Sequence, residues 1–227
     1  MTDYHIHVLP GVDDGAADVA EAEEMLALCA AQGFQVIATP HYISHRQSAE
    51  DFLKNRQAAY ESIAVPPGTS VKLGAEVYIE QRFCEDAQLH KLTLADSPYI
   101  LLEPPYTSFK SWIENEIYNV LYGLKLIPVI AHIERYLDWY SKDDVARLLA
   151  IKEAVIQINA ESLFNRKGIK FVESLLREGR IVIFGSDAHN LTSRPPKLGQ
   201  AYEILKAKLS RGDFQKIINM NENFTGR

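Results

Sequence analysis

Short apolar runs alternate along this chain with stretches of helical period, and nearly every apolar run stops at a histidine or an acid. Asp18 is placed to cap a first helix, with Glu21 as its capping-box partner; Ala22, Met25, Leu26 and Cys29 form the apolar face and Gly33 ends it. Residues 34–39 read as a strand, and a helix spans about residues 49–63, where Pro66-Pro67-Gly68 stops it. Residues 71–75 form the next strand, whereas residues 77–97 carry no clear period. A strand at residues 99–102 ends in Glu103-Pro104-Pro105, and Ile113, Ile117, Val120, Leu121 and Leu124 keep a helical period. Residues 126–130 read as a strand in which Pro128 implies an edge, a bulge or an irregular barrel. Val145, Leu148 and Leu149 mark a helix, residues 155–158 a strand, and Ile169, Val172 and Leu176 a helix ending near Gly179. A last strand at residues 181–184 precedes C-terminal helices.

Strands that alternate with helices imply a parallel sheet. About seven such runs with no internal linker predict a single domain over residues 1–227. A closed or nearly closed β/α barrel fits better than an open sheet. Open sheets gather ligands at one switch point, whereas a barrel presents them at the C-terminal ends of its strands.

The polar residues at those ends carry the candidate chemistry. His5 and His7 lie two apart on a strand and so face the same way. An HxH pair alone is weak, and a lone histidine is more often a hydrogen-bonded structural residue. Here five histidines (His5, His7, His41, His132 and His189) and four acids (Asp14, Glu76, Glu103 and Asp187) close separate apolar runs. Mixed imidazole and carboxylate donors suit Zn²⁺, Mn²⁺ or Fe²⁺, and carboxylates bridging ions ~3.5–4 Å apart serve metal-assisted hydrolysis. Asp13 is an alternative to the adjacent Asp14. His45 and His90 stand in polar contexts and read as surface residues.

Composition narrows the function classes. The net charge of −6 disfavours a nucleic-acid binder. No apolar run approaches the ~18 residues a membrane span needs, and Asp3 and His5 stand where a signal peptide would be basic and apolar. Cys29 and Cys84 have unrelated surroundings and read as reduced thiols of a cytoplasmic protein. Neither begins a CX5R loop, because Gln35 and His90 occupy the arginine positions, so a cysteine-dependent phosphatase mechanism is excluded.

The segments HIHVLPGVDDGA, ATPHY, GAEVYI, LLEPPY, PVIAHIERY and FGSDAHN…RPP resemble the polymerase-and-histidinol-phosphatase (PHP) superfamily. Within it they resemble the bacterial manganese-dependent protein-tyrosine phosphatases of capsule and exopolysaccharide operons. The likeness runs from residue 3 to about residue 205. HxH is common to many metal-dependent barrels; VDDG, AHIERY and SDAHN…RPP are more specific. The resemblance implies a distorted (β/α)7 TIM-like barrel of the PHP type. It implies three divalent ions, Mn first, with Fe or Zn as alternatives. His5, His7, Glu76 and Asp187 would hold one; Glu76 would bridge to a second held by Glu103 and His132; Asp14, His41 and His189 would hold the third. The matching arginines, Arg135 and Arg194, would bind phosphate, for which a guanidinium fork is suited, although a salt bridge is the commoner fate of any one arginine. Lys197 nearby reads as solvent-exposed.

The implied reaction is phosphotyrosine hydrolysis by a metal-bound hydroxide, on a bacterial tyrosine autokinase that regulates capsule or exopolysaccharide synthesis. A small-molecule phosphatase, such as one for histidinol phosphate, and a metal-stabilised scaffold without turnover are the rivals. Tyr42, Tyr106, Tyr136, Trp139 and Tyr140 follow ligand positions and would form either an aromatic rim or ordinary loop anchors. The oligomeric state is open: the acidic pair Glu23-Glu24 of related ring-forming proteins is present, but Ala31 replaces their basic residue.

Overall fold

The structure, a computed structural model, describes residues 1–224. In chain order the elements are β1 (Thr2–Ile6), α1 (Val19–Ala31), β2 (Gln35–Ala38), β3 (His41–Tyr42), α2 (Ala49–Ser62), β4 (Val71–Leu73) and β5 (Glu76–Tyr78). They continue with β6 (Tyr99–Glu103), α3 (Ser111–Tyr118), β7 (Ile127–Ile130), α4 (Lys142–Ala150), β8 (Val155–Asn159), α5 (Arg166–Arg177), β9 (Val182–Gly185), α6 (Leu198–Lys208) and α7 (Arg211–Glu222). This is a mixed α/β fold of parallel strands in two sheets, ordered β1-β2-β4 and β3-β5-β6-β7-β8-β9.

Two expected strands are interrupted. The run at residues 34–39 stops at Ala38 and pairing resumes at His41, because Pro40 has no amide hydrogen for the ladder. Beside it, Gly74-Ala75 separates β4 from β5. Backbone bonds still span both breaks: Gly74 N donates to Ala38 O (2.8 Å) and Glu76 N to Pro40 O (3.0 Å). At the other side of the fold, Asp187 N donates to His5 O (2.7 Å) and His7 N to Ala188 O (2.9 Å), which ties the chain after β9 to β1.

Pro128 lies in an interior strand, not at an edge. The Ile127 and Ala131 amides donate toward β6, at Pro98 O and Leu102 O, so Pro128 faces β8. Pairing with β8 begins only at Val129, so no ladder bond is lost. The unassigned stretch at residues 77–97 holds short 3₁₀ turns, and α3 runs on into a π turn over Asn119–Gly123. Asp18 caps α1 by accepting from Glu21 N, and Glu21 in turn accepts from Ala17 N.

Strand residues divide between two apolar layers. Ile100, Leu102, Ile130, Ile156, Ile158, Val182 and Phe184 pack toward the helices. Leu101, Val129, Val155 and Ile183 gather with Ile37, Leu94 and Phe224 on the opposite face. That second face changes character along the strands: Tyr99 and Leu101 lead to Glu103, and Val155 leads to Gln157 and Asn159. The polar residues therefore collect at the C-terminal ends, above an apolar plug. Among the described residues, no helix is long and apolar enough to cross a membrane.

Candidate metal centre

All nine residues singled out as ligands converge at those strand ends. Their donor atoms form four overlapping groups, each within 4.8 Å: His5, His7 and Asp187; His5, Glu76 and His132; His41, Glu76 and Glu103; and His7, Asp14, His41 and His189. Glu76 is the hub. Its Oε1 lies 2.8 Å from His132 Nε2, and its Oε2 lies 3.0 Å from His41 Nδ1, 3.1 Å from His5 Nε2 and 3.3 Å from His7 Nε2. The β3–β5 register sets His41 directly beside Glu76, and the β5–β6 register sets Glu103 beside Tyr78 on the next strand.

Backbone geometry is specialised here. His132 and Asp187, each just past a strand, have φ of 29° and 51°, a region that L-residues seldom enter and that recurs at functional sites. Glycines permit two close approaches. A Cβ at Gly15 would lie 2.2 Å from His7 O, and one at Gly185 would lie 2.4 Å from His5 Cβ. The VDDG turn and the FGSD strand end thus need glycine to press against the two leading histidines.

The two adjacent aspartates have different surroundings. Asp13 accepts from His7 Nδ1 (2.6 Å), His41 N (2.8 Å) and Gly15 N (2.9 Å), behind the centre. Asp14 is 70% exposed and places Oδ1 3.5 Å from both His41 Nε2 and His189 Nε2. Asp13 therefore orients His7 from outside, and Asp14 faces the cluster.

The site is crowded with charge. Burial and the Glu76 charge beside it push Glu103 up to about 8. Burial and the neighbouring His7 push His189 down to about 4. Burial works against ionisation of Glu76, but His5 and His41 outweigh it and hold the carboxyl well below its usual range. Buried Glu76 Oε2 and His41 Nδ1 face each other at 3.0 Å without an aligned hydrogen bond, and His189 Nε2 has no hydrogen-bond partner. Unpaired buried donor atoms among carboxylates and imidazoles are what divalent cations would satisfy, so the residues fit a metal centre.

Strand β8 ends in no candidate ligand, yet it carries two residues that sequence reasoning missed. Gln157 Oε1 accepts from His132 N (2.7 Å) and lies 3.0 Å from His5 Nδ1, which must therefore be the protonated ring nitrogen. Gln157 Nε2 donates to Asn159 Oδ1 (2.9 Å), and Asn159 Nδ2 donates to Asp187 Oδ2 (2.6 Å). This chain of amides leaves His5 Nε2 pointing into the centre and fixes one Asp187 oxygen. Amides inside an otherwise apolar strand, VIQIN, were the available signal. Gln157→Ala is expected to weaken divalent-metal affinity about 10–100-fold, the usual effect of losing such a partner. Titration against a chromogenic chelator checks this, and unchanged affinity would refute it.

Arg135 and Arg194 sit on the rim. Arg135 Nη2 is 2.7 Å from Asp187 Oδ2, and Arg194 Nη2 is 2.7 Å from Asp187 Oδ1. Both line a cavity of about 400 Å³ with His41, Glu76, Glu103, His132 and Asp187. The five aromatic residues separate into two kinds. Tyr42, Tyr136 and Tyr140 are buried anchors whose hydroxyls donate to Asp86 Oδ2, Pro104 O and Pro105 O. Tyr106 and Trp139 alone of the five line the cavity. His45 pairs with Glu80 and is 63% exposed, and His90 and Lys197 are exposed as expected. Cys29 and Cys84 are unpaired thiols, and burial pushes both well above the usual thiol range. Glu23 is committed within the chain, accepting from Ala64 N at 2.8 Å.

Known proteins resemble the whole chain. It is 33% identical over 228 residues to the tyrosine-protein phosphatase CpsB of Streptococcus pneumoniae, covering 92% of this chain and 90% of that one. It is 32% identical over 220 residues to the tyrosine-protein phosphatase YwqE of Bacillus subtilis (strain 168), covering 91% and 84% respectively. A crystal structure from work on YwqE and CpsB, described as unique metal-dependent tyrosine phosphatases, superposes with a TM-score of 0.76 at 28% identity, over 100% of this chain and 94% of that one. The family model for capsular polysaccharide synthesis, CpsB/CapC, matches residues 1–225, and the chain belongs to that family.

Proposed function

We propose that this protein is a metal-dependent protein-tyrosine phosphatase. The observation that carries the reading is the convergence of nine histidine and carboxylate residues, five of which line one cavity with Arg135 and Arg194 on its rim. In this reading three divalent ions, manganese first and iron or zinc as alternatives, would be held by His5, His7, Asp14, His41, Glu76, Glu103, His132, Asp187 and His189, whose overlapping donor groups support it. When bound, such ions supply Lewis-acid charge and a water nucleophile near neutral pH.

The chain's own residues do the rest. Arg135 and Arg194 turn from Asp187 toward the phosphoryl oxygens and neutralise charge that builds there in the transition state. Tyr106 and Trp139 flank the phenyl ring. A phenol leaving group, with a pKa of ~10, needs less protonation than an alkoxide. The two thiols, both held well above the usual thiol range, take no part.

Three finer readings accompany this one. The two sheets act as one distorted (β/α)7 barrel in which β2 with β3, and β4 with β5, count as interrupted strands; the bonds between β1 and residues 187–188 support closure. A tyrosine autokinase of capsule or exopolysaccharide synthesis is the intended substrate, in keeping with the family. The cytoplasm is the intended compartment, in keeping with two unpaired thiols.

The test is phosphate release from a phosphotyrosyl peptide, a phosphoseryl peptide and histidinol phosphate, each with Mn²⁺ or with chelator. Chelator-sensitive turnover mainly of the phosphotyrosyl peptide is expected. Preference for histidinol phosphate would replace the reading with a small-molecule phosphatase, and no turnover with any metal would replace it with a scaffold. Trp139, 57% exposed at the mouth, bears on ring recognition. Trp139→Ala is expected to raise KM for the phosphotyrosyl peptide about three- to tenfold, the worth of one aromatic contact, with the phosphoseryl KM unmoved.

A further inference from the structure

We propose that a second cavity, bounded by Leu137 and Phe171, is the subsite for an apolar side chain next to the phosphotyrosine of a protein substrate. The proposal rests on the phosphatase reading above. This cavity, about 530 Å³, is larger than the 400 Å³ cavity of the metal centre, and the two share Arg135 and Asp138 as a common wall. A phosphotyrosine carried by a protein has chain on both sides. With its phosphate at Arg135 and Arg194, that chain must cross the mouth. At ~3.3 Å per extended residue, a near neighbour reaches past the shared wall.

The lining indicates what that neighbour is. Leu137 lies on the turn Ile133–Asp138 just after β7 and is 47% exposed, so its side chain is open to a guest. Phe171 faces the same space from α5. Asn165 Oδ1, Ser162 Oγ and Glu134 Oε1 of the lining are engaged with the chain's own backbone. Asn165 Oδ1 caps α5 by accepting from Lys167 N and Gly168 N, both at 2.9 Å. Ser162 Oγ donates to Asn159 O (2.8 Å), and Glu134 Oε1 accepts from Asn159 N (3.0 Å). Glu134 Oε2 has no partner but is closed off from solvent, out of reach of a guest. Glu161 and Lys167 bring opposite charges to the lining. Leu137 and Phe171 are the apolar surface that this cavity offers a guest, with the charged Asp138, Glu161 and Lys167 around them.

The experiment measures kcat/KM of the metal-loaded protein on phosphotyrosyl peptides carrying Gly, Leu, Phe, Lys or Asp at each of the three positions on either side. A plain aryl phosphate, which has no flanking chain, serves as the control. At one position, Leu or Phe is expected to exceed Gly about tenfold through KM, as for a half-buried leucine contact. Leu137→Ala should reduce that advantage to about twofold or less and leave aryl phosphate turnover unchanged. Leu137→Lys should shift the preference to Asp at the same position. Peptides that are all hydrolysed equally, or an apolar advantage that survives both variants, would overturn the subsite. Absence of aryl and peptide turnover in the unmutated protein would overturn the phosphatase reading instead.

Discussion

Replacing Glu76 with alanine is expected to lower turnover on the order of a thousandfold or more and to release bound metal, while the fold persists. Glu76 links four of the strands that build the centre: it sits on β5, beside His41 of β3, and reaches His5 of β1, His7 just after β1 and His132 after β7. Its two oxygens face four imidazoles within 3.3 Å, and among the described residues no other carboxylate does so. Without it, the ring nitrogens that faced Glu76 keep only Asp187 and Glu103 as counter-charges, at 3.5–3.7 Å. The electrostatic help that metals give in such sites is worth several kcal/mol, and about 4 kcal/mol corresponds to a thousandfold. Glu76→Gln keeps the shape and removes the charge, so a similar loss in that variant assigns the effect to charge. Elemental metal analysis, far-ultraviolet circular dichroism and phosphotyrosyl-peptide turnover check the expectation. Full metal content with more than a tenth of the activity would contradict it.

Arg194→Ala should cost about a hundredfold in kcat/KM, the scale of removing one preorganised charge donor from a transition state, and should leave metal content unchanged. The loop does not depend on the guanidinium. Asn190 Oδ1 accepts from the amides of Thr192, Ser193 and Arg194, and Arg194 O accepts from His189 N at 2.9 Å. All these bonds survive an alanine. Asp187 also keeps Arg135 and Asn159 as partners, both within 2.7 Å. Arg194→Lys should recover only part of the loss, because an ammonium cannot form the paired bonds of a guanidinium. Weaker inhibition by inorganic phosphate should accompany the loss. Metal and activity falling together would show instead that Arg194 holds Asp187 in place.

Features that were legible in the chain are those set by local periodicity. The two-residue spacing of His5 and His7 directs both rings to one side of a strand. Asp18 caps α1 because a short carboxylate before a helix reaches the first free amides. The strand-end positions of Glu76, Glu103, His132 and Asp187 follow from where each apolar run stops. These patterns pointed to parallel strands, a polar end to the fold, and the set of residues gathered there.

Other features depend on pairing across the chain. Gln157 and Asn159 read as two polar interruptions of a buried strand until β8 is set between β7 and β9, where their amides meet His5, His132 and Asp187. Asp13 and Asp14 are equivalent in sequence, and only the Gly15 turn against His7 sends one behind the ring and the other toward the cluster. Tyr106 and Trp139 were indistinguishable from Tyr42, Tyr136 and Tyr140, because exposure depends on which carbonyls and helices close over each ring. The splitting of two strands at Pro40 and Gly74-Ala75 was equally hidden, since a missing ladder bond matters only once the neighbouring strand is known. The sequence by itself determined the residue types, their order and the strand ends that bear them, because these rest on interactions between near neighbours. The tertiary structure alone decided which atoms meet, because each contact in the centre joins residues brought together from distant strands.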